Sequence, residues 1–188
     1  MEVYLVTNIH RSGSSMMMRC LEAGGMPVSY SDAHESLNTE FNTPEYIPNP
    51  NGFYAPPDNL EDITKYIGTA FKFDFRSLLT LPIGMKYNIL FIKRNPDEIR
   101  ASMQAFTPYQ SWNQDSTILE FYDLIIDSLL EEVRKREDVI LTILNYADIV
   151  KTPLQEFQKL VNAGWNFDIE KASEKVDESL HRFKLEKQ

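Results

Sequence analysis

The chain has 188 residues, of which 43% are hydrophobic and 12% aromatic, and this length and composition suit a single globular domain with a substantial core. Its net charge of -9 argues against non-specific nucleic-acid binding, and its single cysteine and three scattered histidines argue against a disulfide or a metal cluster. Because we see neither a basic leader nor an apolar run of about 20 residues, we expect a cytoplasmic protein that does not bind membranes.

The beginning of the chain predicts a strand, a short polar loop and a helix in close succession. An apolar run from Val3 to Thr7 predicts the strand, and a helical pattern runs from Ser14 to Ala23. A helix that starts directly after a loop offers unpaired backbone N–H groups and the positive end of its dipole to an anion. The sequence therefore predicts a site for phosphate, or for a phosphate-like group, at residues 8–15.

Short apolar strands alternate with helices along the rest of the chain. Further strands are predicted at 70–73, 88–93 and 139–144. Helices are predicted at 60–67, 96–106, 116–137, 153–163 and 169–183. This order favours an α/β fold in which helices flank a parallel sheet in three layers. Ligands of such folds bind beyond the carboxyl ends of the strands, where the loops that follow them meet.

The loop after the first strand differs from that of P-loop nucleoside triphosphatases. Their motif is Gly, four residues and then Gly-Lys-Ser/Thr, in which the Lys reaches the phosphates. Aligned on Gly13, this chain has Asn8 in place of the first Gly and Ser14 in place of the Lys. Hydrolysis of ATP or GTP with magnesium is therefore disfavoured.

Two motifs resemble those of sulfotransferases, enzymes that use PAPS (3′-phosphoadenosine 5′-phosphosulfate). HRSGSS, with its charge at Arg11, resembles the family's 5′-phosphosulfate loop. Arg94-Asn95-Pro96, followed by Ser102, resembles its 3′-phosphate site. The helical rise allows Ser102 to face the same anion as Arg94, and an Arg can offer two parallel N–H donors to a phosphate. The resemblance implies a P-loop NTPase-like (sulfotransferase) fold with PAPS as co-substrate and no metal.

The resemblance also implies roles for individual residues. Arg11 would stabilise the charge that builds on the leaving phosphate, with the donors of the helix start. The other phosphate contacts would come from Ser12, Gly13, Ser14, Ser15, Arg94 and Ser102. Tyr146, in YADIVKTPL, corresponds to a family Tyr near the adenine. The Arg-Lys-Gly loop that completes the 3′-phosphate site in cytosolic sulfotransferases is not visible.

The general base is the least determined part of the predicted site. In FKFDF, Lys72 and Asp74 align with the Lys and His of the family's Lys-Thr-His segment, which makes Asp74 a candidate base. An exposed Asp is a weak base unless its surroundings raise its pKa. The alternative is that Asp74 is a charged residue at the strand end that pairs with Lys72 or Arg76. His34 and Glu35 are the rival candidates.

The implied reaction is transfer of a sulfuryl group from PAPS to a hydroxyl or amine of a small-molecule or carbohydrate acceptor, by a monomer or homodimer. The polar, Pro-rich residues 29–60 would form an irregular insert in one domain, 1–188, and cover the acceptor, with aromatic side chains such as Tyr46, Phe53 and Tyr54. Two alternatives stay open. One is a non-catalytic protein that binds PAP (the desulfonated product) or another nucleotide, and the other is a kinase-like P-loop enzyme.

Overall fold

The strands of the sheet are short and apolar, and all of them run in parallel. The computed structural model describes residues 1–29, 63–105 and 118–181. The strands in these ranges are β1 (Glu2–Asn8), β2 (Ala70–Asp74), β3 (Lys86–Lys93) and β4 (Val139–Asn145). They pair in the order β2-β1-β3-β4. Their carboxyl ends therefore lie along one edge of the sheet.

Helices cover both faces of this sheet. The α-helices are α1 (Ser14–Ala23), α2 (Pro96–Ala105), α3 (Tyr122–Arg134), α4 (Tyr146–Lys151), α5 (Pro153–Asn162) and α6 (Ile169–Ser173). Short 3-10 helices span Ile63–Tyr66, Phe75–Thr80 and Glu178–Leu180. The predicted α/β fold with a parallel, helix-flanked sheet is confirmed.

Alternation along the strands divides the apolar side chains between two cores. Successive residues of a strand point to opposite faces, so Tyr4 and Val6 join one core and Val3 and Leu5 the other. The first core packs beneath α1, α4, α5 and α6, and the second beneath α2 and α3. Cys20 lies in the first core, where burial raises the pKa of its thiol to about 12. This sulfur is therefore a packing group, as expected for an apolar helix face.

The predicted strands agree with the observed ones to within a few residues, but two predicted helices need correction. The predicted helix 169–183 ends at Ser173, and a separate 3-10 helix follows after Asp177, whose side chain accepts a hydrogen bond from the backbone of Ser179. In the predicted helix 116–137, residues 118–120 are helical, a turn at Phe121 interrupts the helix, and α3 then buries Tyr122, Ile126, Leu130 and Val133. Ile125 recurs at the helical spacing of the apolar residues in this segment, but it is 37% exposed.

Several predictions fall outside the described ranges. The insert at 29–60 lies beyond them except for Ser29, whose N–H donates to the Ala70 carbonyl at 2.9 Å. His34, Glu35, Tyr46, Phe53 and Tyr54 also fall outside the described residues. None of the helices in the described part of the chain has the length and apolar character needed to cross a lipid bilayer.

Candidate anion-binding site

The loop between β1 and α1 has a strained, closely hydrogen-bonded backbone. Arg11 has a φ of 69° and Gly13 a φ of 98°, so both adopt the left-handed conformation. The Ser12 N–H donates to the Ile9 carbonyl at 3.2 Å, and the Met17 N–H donates to the Gly13 carbonyl at 3.0 Å. The N–H groups before Met17 have no acceptor within the helix. The loop therefore presents backbone donors and the positive end of α1 at the carboxyl edge of the sheet.

The two predicted phosphate motifs meet at this loop. Nε of Arg11 donates to Oγ of Ser102, on α2, at 3.2 Å. Nη1 of Arg94, at the end of β3, donates to the Arg11 carbonyl at 2.9 Å. Arg11 therefore contacts both members of the second motif, as the resemblance requires if the two motifs hold one ligand.

Arg94 is buried, and its guanidinium contacts other side chains of the protein. It is 8% exposed, its Nε donates to Oε2 of Glu98 at 3.0 Å, and its guanidinium lies 4.4 Å from the centre of the Tyr146 ring. Among the described residues, no group pairs with Nη2 of Arg94 or with Oγ of Ser12, although both atoms are buried. Unpaired buried polar atoms are costly, so an acceptor that reached them would be bound favourably.

Lys72 brings a further positive charge to the helix start. Its Nζ donates to Oγ of Ser15 at 2.8 Å. Burial and the charges of Arg19 and Arg11 lower the pKa of Lys72 to about 8. Cations that destabilise one another in this way are stabilised when an anion binds between them. The sequence aligned Lys72 with a family Lys but did not assign it to the site.

Asp74, the candidate base, lies on the same face of β2 as Lys72 and forms an ion pair. Its carboxylate accepts from Arg76 at 2.6 Å, and it also accepts the Arg76 backbone N–H at 3.0 Å. Burial acts to raise the pKa of Asp74, but these hydrogen bonds outweigh it and hold the pKa below the usual value. The carboxylate is therefore ionised near neutral pH, but weakly basic.

Tyr146 is buried, and its ring packs against the loop between β1 and α1. It begins α4, is 3% exposed, and lies so close to Gly13 that a Cβ on this glycine would be 2.4 Å from the ring. A cleft of about 360 Å³ lies beside it at the carboxyl ends of β3 and β4. Its walls include Lys93, Arg94, Asn95, Tyr122, Asn145 and Asp148.

Besides Lys72, two residues of the site were missed by sequence reasoning. Glu98 follows Arg94 by one helical turn, and this spacing could have indicated their ion pair. His181, whose Nε2 lies 2.8 Å from Oε2 of Glu98, gives no local signal because the contact joins distant parts of the chain.

No protein-family model matches the chain, and neither does any curated protein.

The close contact between Gly13 and the Tyr146 ring predicts that an alanine at position 13 destabilises the fold. We expect Gly13→Ala to lower the free energy of unfolding by about 2–4 kcal/mol, because it adds a clash to an unfavourable φ. Gly25→Ala is the matched control, since Gly25 has a φ of +86° and open space around its Cβ position. We expect this control to lose about 1 kcal/mol in urea titrations. Equal losses would contradict the close contact.

The lowered pKa of Lys72 predicts that anion binding weakens as the pH rises through about 8. Only the protonated amine attracts an anion, so we expect sulfate affinity to fall about tenfold between pH 7 and pH 9. Sulfate is chosen because it stays a dianion over this range. Lys72→Arg keeps the charge and should bind sulfate with little dependence on pH, as measured by NMR titration. An unchanged pH dependence in this variant would exclude Lys72 as the cause.

Proposed function

We propose that the protein is a PAPS-dependent sulfotransferase with a P-loop NTPase-like fold, which transfers a sulfuryl group to a hydroxyl or amine. The observation that carries this proposal is the meeting of Arg11 with both Arg94 and Ser102. Two motifs with the pattern of the 5′-phosphosulfate and 3′-phosphate sites lie side by side, as one doubly phosphorylated nucleotide would require. The parallel sheet supports the proposal, because it gathers these loops at one edge.

Sulfuryl transfer requires that charge on the leaving phosphate be stabilised and that the acceptor be positioned. We assign the first task to Arg11, to the N–H groups at the start of α1 and to Lys72, whose Nζ lies at the same helix start. Fixed donors of this kind need no rearrangement as charge develops. Arg94 and Ser102 would hold the 3′-phosphate, and the orphan Nη2 of Arg94 is the donor left over for this purpose. Tyr146 would border the nucleoside.

A non-catalytic protein that binds PAP is the second candidate. The specific observation in its favour is the ion pair between Asp74 and Arg76, which leaves the proposed base with a lowered pKa. The kinase-like alternative receives no comparable support, since Lys72 reaches the helix start from β2 rather than from the loop itself.

Calorimetry with three nucleotides tests the proposed ligand. We expect PAP to bind at micromolar strength, and AMP, which lacks the 3′-phosphate, to bind at least about tenfold more weakly because it loses the contacts of the second motif. Preference for ATP with magnesium over PAP would favour a kinase-like enzyme instead. Equal binding of PAP and AMP would mean that Arg94 and Ser102 do not hold a phosphate.

Loss of the loop cation tests the catalytic role of Arg11. We expect Arg11→Ala to lower PAPS turnover about a hundredfold, because about 3 kcal/mol of stabilisation of the leaving group is lost. Arg100→Ala removes the same charge from the exposed face of α2, where Arg100 pairs with Asp97, and should leave turnover nearly unchanged. Similar losses in both variants would point to a general charge effect. A wild-type protein that binds PAP but never turns over PAPS with a panel of acceptors would support the non-catalytic candidate.

The ion pair at Asp74 gives a sharper test of the base than its removal alone. Arg76→Gln removes the guanidinium that bonds and charge-stabilises the Asp74 carboxylate but keeps the backbone N–H, so the pKa of Asp74 should rise. If Asp74 is the base, we expect the acid limb of the pH–rate profile to move to higher pH, and Asp74→Asn to lower kcat. An acid limb that stays in place in Arg76→Gln, with full activity in Asp74→Asn, would exclude Asp74.

A further inference from the structure

The C-terminal part of the described chain reaches the anion-binding site through a buried histidine. His181 follows the 3-10 helix Glu178–Leu180 and is 8% exposed. Its Nε2 lies 2.8 Å from Oε2 of Glu98, and this same oxygen accepts the hydrogen bond of Arg94 Nε at 3.0 Å. His181 and Arg94 therefore converge on one atom of a buried carboxylate.

The ring of Tyr146 also contacts both His181 and Arg94. The ring of His181 packs edge-on against the Tyr146 ring, with 5.0 Å between centroids and 87° between planes. The Arg94 guanidinium lies over that ring at 4.4 Å, and Gly13 of the loop lies directly against it. His181 is thus held both by a hydrogen bond and by a ring contact, and each of these partners also contacts Arg94.

We propose that His181 is a positioning residue of the anion-binding site, which fixes Arg94 against the loop by holding Glu98 and Tyr146. On this view the C-terminal segment that carries His181 is a structural part of the site, although it lies far from both motifs in the sequence. The identity of the ligand rests on the proposed function, whereas the positioning of Arg94 does not.

The charge on Glu98 explains why a second donor matters. Burial acts to raise the pKa of Glu98, but hydrogen bonds from His181 and Arg94 outweigh it and bring the pKa below its usual value. A buried carboxylate that loses one donor is left under-satisfied, and it can move toward water. Arg94 would follow it, since Nε of Arg94 is bonded to the same carboxylate. The bond from Nη1 to the Arg11 carbonyl, which braces the loop, would then lengthen.

Two substitutions separate the hydrogen bond from the packing of the ring. His181→Phe keeps an aromatic ring against Tyr146 but has no donor for Glu98. His181→Gln keeps an N–H donor at a similar reach and should restore it. With the full chain in calorimetry, we expect His181→Phe to bind PAP about tenfold more weakly and His181→Gln to remain within about threefold of wild type.

A matched control distinguishes positioning from general loosening of this segment. Val176 packs against the core from the same segment. We therefore expect Val176→Ala to lower the unfolding temperature without weakening PAP binding. If Val176→Ala weakens binding as much as His181→Phe, or if His181→Phe binds PAP as tightly as wild type, the proposed role of His181 is overturned.

The Arg94 side chain provides a readout that does not depend on the ligand. In the free protein, its Nε–H should give a slowly exchanging NMR signal, because this group is buried and bonded to Glu98. We expect the signal to shift and exchange faster in His181→Phe and to recover in His181→Gln. If wild type fails to bind PAP, the proposed ligand is wrong, and this signal alone decides the role of His181. An Arg94 signal unchanged in His181→Phe would then overturn that role.

Discussion

The hydrogen bond from the Arg94 guanidinium to the Arg11 carbonyl is the interaction on which the site depends. It joins the end of the central strand β3 to the loop that follows its neighbour β1. That loop holds Arg11 and Gly13 in left-handed backbone conformations, which cost energy unless surrounding contacts fix them. The hydrogen bond from Arg94 to the Arg11 carbonyl is one such contact, and the packing of the Tyr146 ring against Gly13 is another. The loop is therefore shaped before any ligand arrives.

Charge is distributed to favour one location for an anion. The chain as a whole carries -9, so its distant field opposes an anionic ligand. Near the start of α1, Lys72, Arg11 and Arg19 lie close enough for their charges to lower the pKa of Lys72. At physiological ionic strength, distant charges are screened over about 8 Å, whereas these local charges are not. This local cluster therefore favours the start of α1 as the location of the proposed anion, while the overall charge disfavours other parts of the surface.

Local patterns in the sequence were sufficient for the α/β fold with a parallel sheet and for the strand, loop and helix that carry the first motif. The boundaries of α1 and the strands follow from apolar periodicity and from Gly24 at the helix end, and these signals act over a few residues. The separate turn after Asp177 was missed, since it depends on a side chain that competes with the helix for backbone N–H groups. Contacts such as His181 with Glu98 could not be predicted, because no spacing rule relates residues that only the tertiary fold brings together. The ion pair that lowers the basicity of Asp74 is different, because it joins residues two positions apart and the sequence offers it as the alternative to a catalytic role; whether it forms depends on the rotamers that Asp74 and Arg76 adopt.

The burial of Arg94 changes how its motif works. A solvent-exposed arginine would offer both of its terminal nitrogens to a phosphate. Here Nε is taken by Glu98 and Nη1 by the Arg11 carbonyl, which leaves Nη2 as the donor without a partner among the described residues. Arg94 therefore offers an anion chiefly the N–H groups of Nη2, in fixed directions, instead of a flexible fork. Because its position is fixed by Glu98, Tyr146 and the loop, little side-chain entropy is lost when a ligand binds. For the proposed anion, the geometry thus favours a rigid contact that depends on the surrounding cluster. Its affinity should therefore depend as much on these supporting contacts as on the groups that touch the anion.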